Sequence, residues 1–288
     1  WKDYPYYTAE TRERVLAEYP EALRETRFYS YVQFLLYTQL TAAHEYANSH
    51  GVAIKGDIPI GVAPNGVDVW CEREQINLTV SAGAPPDMFS ADGQNWGFPT
   101  YNWKVMAADG YRWWRRRLQY MSRFFDAYRI DHILGFFRIW EVPRQAQSAI
   151  LGHFYPSMPY SAEDIKAFGL NFNAEQHCST DFADTDTLFV AYPEGGFTPR
   201  IEGYKTLMFK NLSEVEQKAY LQLHEEFFYH RHNDFWRTCA LKRLPALMSS
   251  TKMLTCGEDL GMIPACVPDV MREAGILSLE IERMPKQL

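Results

Sequence analysis

Cysteine and long apolar runs are both scarce in this sequence. Its 288 residues include only five cysteines, an odd number with no pair two residues apart, so the pattern of a disulfide framework is missing. We therefore expect the protein to work in a reducing compartment, the cytoplasm. The longest apolar runs, such as residues 32–37, fall far short of the roughly 20 residues that span a bilayer, and no signal-peptide pattern opens the chain. We predict no membrane partner.

Positive charge is also in deficit. Lysine and arginine total 29 against 36 aspartate and glutamate residues, which gives a formal net charge of -7 at pH 7. Because an acidic surface repels phosphates, we predict no nucleic-acid partner. Hydrophobic residues are plentiful: at 47% of the chain they suffice for a buried core, which excludes a disordered, collagenous or coiled-coil protein.

Short apolar segments alternate with loops and helix-like stretches along the chain. Strands are predicted at residues 52–54, 127–130, 253–256 and 276–281, and helices at 11–23, 30–49 and 111–125. The Ser213/Glu216 capping box predicts the start of another helix. Strand, loop, helix, strand is the order of parallel βα units, so the predicted fold class is α/β. Asp57, Asp131 and Glu258 each lie just past a predicted strand, where such folds place catalytic residues.

Two of these acids have neighbours that suggest different protonation states. Arg129 lies two residues before Asp131 on the same face of the strand, so its guanidinium can hold the Asp131 carboxylate ionised, as a nucleophile requires. Glu258 follows an apolar segment and precedes Asp259, so burial and a like charge can both raise its pKa, as a general acid requires. Such a pair is typical of retaining glycoside chemistry. Asp57 alone is explained equally well as a helix cap or an ion-pair partner.

The loop at residues 85–103 interleaves rigid aromatic side chains with amides and acids. Sugar faces stack on rings while their hydroxyls bond to carboxylates and amides, so Asp87, Trp96, Tyr101 and Trp103 are candidate sugar-binding residues. An equally good interpretation is that the three aromatic side chains pack the top of the fold.

Other motifs give weaker signals. His224, His230 and His232 have spacings that do not place a set of ligands on one helix face, so we predict no metal site. Residues 194–196 form a turn that lacks the features of a phosphate loop.

Five sequence blocks occur in the order found in one known family. They are Gly-Asp-Ile-Pro at 56–59, Pro-Pro-Asp-Met-Phe-Ser at 85–90, Gly-Gln-Asn-Trp-Gly at 93–97, Arg-Ile-Asp-His at 129–132 and Gly-Glu-Asp-Leu-Gly at 257–261. In these blocks the chain resembles the 4-α-glucanotransferases of glycoside hydrolase family 77, the amylomaltases and disproportionating enzymes. The resemblance implies a (β/α)8 TIM barrel, no cofactor, and α-1,4-glucans and maltooligosaccharides as partners.

The same resemblance implies roles for individual residues. Asp131 would be the nucleophile and Glu258 the acid/base, while Arg129 and His132 would hold the sugar beside the nucleophile. Asp87, Trp96 and Tyr101 would line the donor site. We further expect Asp57, Trp103 and Asp259 among the substrate-binding residues. Two readings of the activity stay open: a retaining α-glucan hydrolase with the same acid pair, and a glucan-binding protein without activity.

The chain departs from the compact bacterial pattern in two ways. A helical block at 151–250 separates Asp131 from Glu258, which is similar to the plant-cytosolic type of disproportionating enzyme. In addition, about four barrel strands are predicted, whereas closure takes eight. We therefore expect part of a barrel: its first part with the sugar-binding loop at 1–150, the helical insertion at 151–250, and the barrel continuation with the acid/base at 251–288. The isolated chain is expected to be inactive or nearly so, and the sequence makes no prediction of oligomeric state.

Overall fold

A computed structural model describes residues 3–88, 90–178, 181 and 183–282. Phe89 of the block at 85–90 and residues 283–288 of the region at 251–288 lie outside the described residues. The helices are α1 Ala9–Glu18, α2 Glu21–Ser49, α3 Val67–Cys71, α4 Trp103–Ala108, α5 Arg112–Met121, α6 Ala162–Ala167, α7 Ala174–His177, α8 Leu207–Lys210, α9 Glu214–Glu225, α10 Asn233–Met248 and α11 Val267–Ala274. The strands are β1 Lys55–Ile58, β2 Ile76–Asn77, β3 Val80–Ala84, β4 Gln94–Asn95, β5 Thr100–Tyr101, β6 Ala127–Ile130, β7 Ile139–Pro143, β8 His153–Tyr155, β9 Phe189–Ala191, β10 Phe197–Pro199, β11 Leu254–Gly257 and β12 Leu277–Ser278.

A parallel sheet carries the predicted acids. Its strand order is β1-β6-β11-β12, with all pairs parallel, so the carboxyl ends of these strands meet at one edge. Asp131 follows β6 and Glu258 follows β11 at that edge. The parallel βα arrangement and the position of β6 are confirmed.

The boundary of the first strand differs from the sequence prediction. The strand was expected at 52–54, but it runs from Lys55 to Ile58, so Asp57 lies inside β1 instead of beyond it. The shift has a tertiary cause: the Asp126 carboxylate accepts the Ile54 N–H at 2.8 Å, and the ladder to β6 begins at the next residue. Phe125 packs so closely on Gly56 that a Cβ there would lie 2.6 Å from its ring. The last strand, predicted at 276–281, is limited to Leu277–Ser278.

The segment between β1 and α4 contributes to a second sheet, of order β4-β3-β7-β8, with antiparallel pairing. Gly83 of β3 faces Asn95 of β4 and Trp140 of β7. A Cβ at Gly83 would lie 2.0 Å from the Gln94 carbonyl oxygen, so only glycine permits this close pairing. The sheet thus holds the predicted sugar-binding loop against the edge where the acids lie.

The helical block is joined to the rest of the chain by packing and by pairing. β8 extends the second sheet, and the Phe154 ring on β8 lies 5.8 Å from Trp236 on α10. α10 in turn packs on α5 and α11. α9 begins with the predicted capping box, in which the Ser213 and Glu216 side chains each bond the other's backbone N–H.

The first two helices lie on the surface. The predicted helices at 11–23 and 30–49 have other bounds: α1 ends at Glu18 and α2 already begins at Glu21. Neither helix contains a buried residue. The apolar side of α2, including Phe28 and Phe34, is exposed. Among the described residues, no helix combines the length and the hydropathy needed to cross a membrane.

Candidate active site

A cavity of about 620 Å³ opens at the carboxyl edge of the parallel sheet. Its size is within the range of small-molecule sites. Six of the ten predicted site residues line it: Asp87, Trp96, Arg129, Asp131, His132 and Glu258. Folding therefore brings residues from three distant blocks of sequence to one concave surface.

Arg129 holds the Asp131 carboxylate. Its Nη2 lies 2.8 Å from Asp131 Oδ1, while its Nη1 donates to both oxygens of Asp57 at 2.9 and 2.8 Å. This bridge depends on strand register, because Asp57 on β1 pairs directly with Arg129 on β6. Burial works against the charged guanidinium, but the two carboxylates outweigh it and raise the pKa of Arg129. The Asp131 side chain is 46% exposed, so a ligand in the cavity can reach its free oxygen.

Glu258 lies in a drier environment. Its side chain is 14% exposed, and burial is the main cause that raises its pKa. The N–H groups of His132 and Leu260 donate to its two carboxylate oxygens at 2.9 and 3.2 Å, which favours the charged form but does not offset burial. The like charge that adds to the shift comes from Asp131.

His132 connects the two acids through its backbone. Its φ of 51° is in the left-handed region, which is uncommon for a residue other than glycine, and its N–H donates to Glu258. The imidazole meets the Trp96 ring edge-on at 4.9 Å. Burial, helped by the charge of Arg138, lowers the pKa of His132 to about 3, so the ring is neutral. Its Nε2 is buried and has no hydrogen-bond partner among the described residues.

The loop contributes one wall of the cavity. The Trp96 ring stacks on Phe98 with centroids 5.7 Å apart, and its Nε1 donates to Gln94 Oε1 at 2.9 Å. Asp87 accepts the Ser90 N–H at 2.8 Å, which closes a short turn at the cavity rim. An aromatic platform and a carboxylate therefore stand on the same wall.

Three predicted sugar-binding residues lie elsewhere, which corrects the expectation that they contact sugar. Tyr101 is 5% exposed and donates its hydroxyl to the Ile60 carbonyl at 2.6 Å. Trp103 is 6% exposed, with the Arg243 guanidinium 4.4 Å above its ring. These two rings pack the core, as the alternative interpretation had it. Asp259 is buried and accepts the Ser278 hydroxyl at 2.9 and 2.8 Å, which ties the end of β11 to β12.

Asp57 also lies outside the cavity lining. Both of its carboxylate oxygens bind Arg129, so it orients the guanidinium that holds Asp131. Of the two structural roles that the sequence allowed for Asp57, helix cap and ion-pair partner, the structure shows the second. Asp57 positions Asp131 indirectly, through Arg129.

Arg138 is a cavity residue that the sequence reasoning missed. It is 3% exposed, and its guanidinium lies 3.7 Å over the Phe154 ring and donates to the Met262 carbonyl. Burial lowers its pKa to about 9, which leaves it charged at neutral pH. A single arginine within the apolar run at 133–140 was the available signal.

The histidines of the helical block have protein partners. His224 Nε2 bonds the Ile201 carbonyl at 2.7 Å, and His232 bonds the Phe227 carbonyl and the Met158 N–H. Within the part of the chain that the structure describes, no three His, Cys, Asp or Glu side chains are arranged to hold a metal ion.

Comparisons with known proteins agree on one family. The model of glycoside hydrolase family 77, described as 4-alpha-glucanotransferase, matches residues 1–288. The 4-alpha-glucanotransferase DPE2 of Oryza sativa subsp. japonica is 34% identical over 355 aligned residues, covering 100% of this chain and 38% of the rice protein. A 4-alpha-glucanotransferase of Chlamydia pneumoniae is 44% identical over 135 residues, covering 47% of this chain and 25% of its own length.

Solved structures show the same fold. The amylomaltase from Streptococcus agalactiae in complex with acarbose has a TM-score of 0.58 at 23% identity, covering 93% of this chain and 40% of that chain. The amylomaltase from Corynebacterium glutamicum has a TM-score of 0.52 at 23% identity, covering 90% and 27%. The expected fold class, part of a (β/α)8 glycosidase barrel, is confirmed. The chain spans well under half the length of the relatives that it matches.

Proposed function

We propose that this chain, which belongs to the 4-alpha-glucanotransferase family (glycoside hydrolase family 77), comes from a protein that transfers α-1,4-glucan segments by a retaining double displacement. The observation that carries the proposal is the shared cavity, whose lining contains both an accessible carboxylate paired with a guanidinium and a buried carboxyl with a raised pKa. An accessible carboxylate as nucleophile and a buried carboxyl with a raised pKa as acid are the two groups that retaining chemistry needs.

In the first step, an Asp131 oxygen attacks the anomeric carbon of the donor sugar. The bond between that carbon and the departing glucan oxygen breaks, and the Glu258 proton passes to that oxygen. In the second step, Glu258 takes the proton from the 4-hydroxyl of an acceptor glucan, whose oxygen attacks the same carbon and releases Asp131. Two protein carboxyl groups supply all the acid and base chemistry, so we propose no cofactor.

The surrounding residues support this scheme by position. Arg129 fixes the Asp131 carboxylate through a contact of 2.8 Å to Oδ1, and the backbone N–H of His132 fixes an oxygen of Glu258 at 2.9 Å. Trp96 offers a ring face to the sugar, while Asp87 and the neutral His132 can bond its hydroxyls. We propose these four residues, Arg129, His132, Trp96 and Asp87, as the substrate-binding set.

The same reasoning gives a substrate and a compartment. We propose maltose, maltooligosaccharides and the glucans of starch or glycogen as substrates. We propose the cytoplasm as the location. All five cysteines are free thiols, which suits a reducing compartment.

Product analysis tests the proposal. The protein in its natural full length is incubated with maltotriose, and the products are separated by chromatography. We expect glucose together with oligomers longer than maltotriose, because an acceptor glucan, not water, resolves the intermediate. Release of shorter sugars without longer ones would support the hydrolase alternative. The Asp131→Asn variant should form neither product; turnover in this variant would contradict the proposed nucleophile.

A further inference from the structure

A second cleft, of about 460 Å³, lies on the helical block beside the catalytic cavity. We refer to it as the insertion cleft; the residues that matter here are Glu202, Tyr204, His224, Glu225, Tyr229 and Met262. Met262 lines both the insertion cleft and the catalytic cavity, and Pro86 of the cleft stands between two cavity residues, Pro85 and Asp87. A chain-like ligand can therefore pass from one to the other without leaving the protein surface.

The chemistry of the insertion cleft favours a neutral, hydroxyl-rich ligand. Tyr204 and Tyr229 are 38% and 51% exposed, so each presents ring surface to the cleft. Glu202 and Glu225 supply acceptor oxygens beside these rings. Lys205 lies on the Glu202 carboxylate and the His230 ring on that of Glu225, and the described residues that line the cleft include no lysine or arginine to bind a phosphate. Rings together with carboxylates are the groups that stack on sugars and bond their hydroxyls.

The local fold holds the Tyr204 ring and the backbone of Tyr229. The His224 ring meets Tyr204 edge-on at 5.5 Å and is itself fixed by its bond to the Ile201 carbonyl. Tyr229 belongs to a π-helical turn, Glu226–His230, between α9 and α10, and its carbonyl accepts from Asn233 at 3.0 Å. Such turns are rare and occur frequently at functional sites. Groups that are positioned before binding lose little freedom when a ligand arrives.

We propose that the insertion cleft binds sugar residues of an α-glucan chain at a distance from its reacting end, which lies in the catalytic cavity. This inference rests on the proposed function, because it takes the ligand of the cavity to be an α-glucan. The cleft then distinguishes long glucans, which reach Tyr204 and Tyr229, from short oligosaccharides, which end inside the cavity. The block at 151–250 thereby selects substrates by length.

The test compares a long and a short substrate in the protein in its natural full length. The variant Tyr204→Ala/Tyr229→Ala is assayed for transfer with amylose and with maltotriose. We expect the ratio of the amylose KM to the maltotriose KM to rise about tenfold, equivalent to about 1.4 kcal/mol of binding. Tyr46→Ala and Tyr120→Ala, which truncate exposed tyrosines on α2 and α5, are the matched controls and should leave this ratio unchanged.

Two further measurements separate the inference from the function on which it rests. Calorimetric binding of amylose in the Asp131→Asn background needs no turnover, and the double substitution should weaken it while Tyr204→Phe/Tyr229→Phe, which keeps both rings, should not. An unchanged amylose KM and unchanged binding, with transfer from maltotriose intact, would refute the insertion cleft and leave the proposed function standing. Absence of transfer from either substrate, with amylose binding still dependent on the two rings, would refute the function and support the cleft.

Discussion

Replacing Arg129 by lysine tests the bridge on which the nucleophile depends. The guanidinium contacts Asp57 through one nitrogen and Asp131 through another, at 2.8 to 2.9 Å. A lysine ammonium is a single point charge and cannot reproduce this fork. Arg129→Lys therefore keeps the charge of the site but releases one of the two carboxylates.

The geometry predicts a small loss of stability and a large loss of activity. The Asp131 and Asp57 side chains are 46% and 62% exposed, and ion pairs of this kind contribute at most about 1 kcal/mol to folding. Misplacing a reacting group by about 1 Å, in contrast, can cost about 100-fold in rate. We expect kcat/KM to fall by about this factor while the free energy of unfolding changes by less than about 1 kcal/mol.

The assay measures transfer from maltotriose and urea unfolding on the same preparations. Asp57→Asn removes the charge on the far side of the bridge but keeps the contact to Asp131, so its activity should lie between those of the parent and Arg129→Lys. Arg112→Lys, at an exposed arginine paired with Asp109, is the matched control and should change neither quantity. Full kcat/KM in Arg129→Lys, or a loss of activity explained by unfolding, would refute the reasoning.

Three more changes follow from the structure. Glu258→Gln should lower kcat by about 100- to 10,000-fold. The activity of the parent should decline as pH rises through the raised pKa of Glu258, because the first step needs the proton of that carboxyl. A pH–rate profile with the same alkaline limb in both proteins would contradict this assignment. Burial raises the pKa of Glu141 to about 7, so its contribution to stability is complete below pH 4.5 and is lost as pH rises through 7. Urea unfolding across this range should therefore show Glu141→Gln gaining about 3 kcal/mol relative to the parent, and a constant difference would argue against the shift. Gly83→Ala should reduce the unfolding free energy by about 1–3 kcal/mol, since the new Cβ would lie 2.0 Å from the Gln94 carbonyl oxygen; equal urea midpoints and slopes would contradict the close pairing of β3 and β4.

The sequence predicted those parts of the site that depend on local spacing. Arg129 and Asp131 lie two residues apart at the end of a strand, so their side chains share a face and their contact follows from strand geometry. Glu258 could be assigned for a similar reason, because the apolar strand before it implies burial. Motif and environment coincide at these positions.

Residues whose environment is set by distant parts of the chain were harder to assign. Asp87 and Trp96 of the loop at 85–103 line the cavity with the acids, but composition could not show which rings of the loop face it. Trp96 lies beyond β4 at the cavity wall, while Tyr101 on β5 pairs with β2 and points into the core. Aromatic residues suit both environments, so the choice depends on strand pairing that the sequence does not reveal.

Arg138 shows why the block at 151–250 matters to the catalytic acid. Its guanidinium lies over the Phe154 ring at 3.7 Å and the Trp236 ring at 5.3 Å, both of which belong to that block. Held there without a carboxylate partner among the described residues, it keeps a charge that helps to lower the pKa of His132. The His132 ring lies 4.0 Å from the Glu258 carboxylate. An imidazolium at that distance would favour the ionised form of Glu258 and remove the proton needed for the first step, whereas a neutral ring does not. Phe154 and Trp236 of the helical block thus help Glu258 to keep its proton, because they hold the Arg138 guanidinium whose charge lowers the pKa of His132.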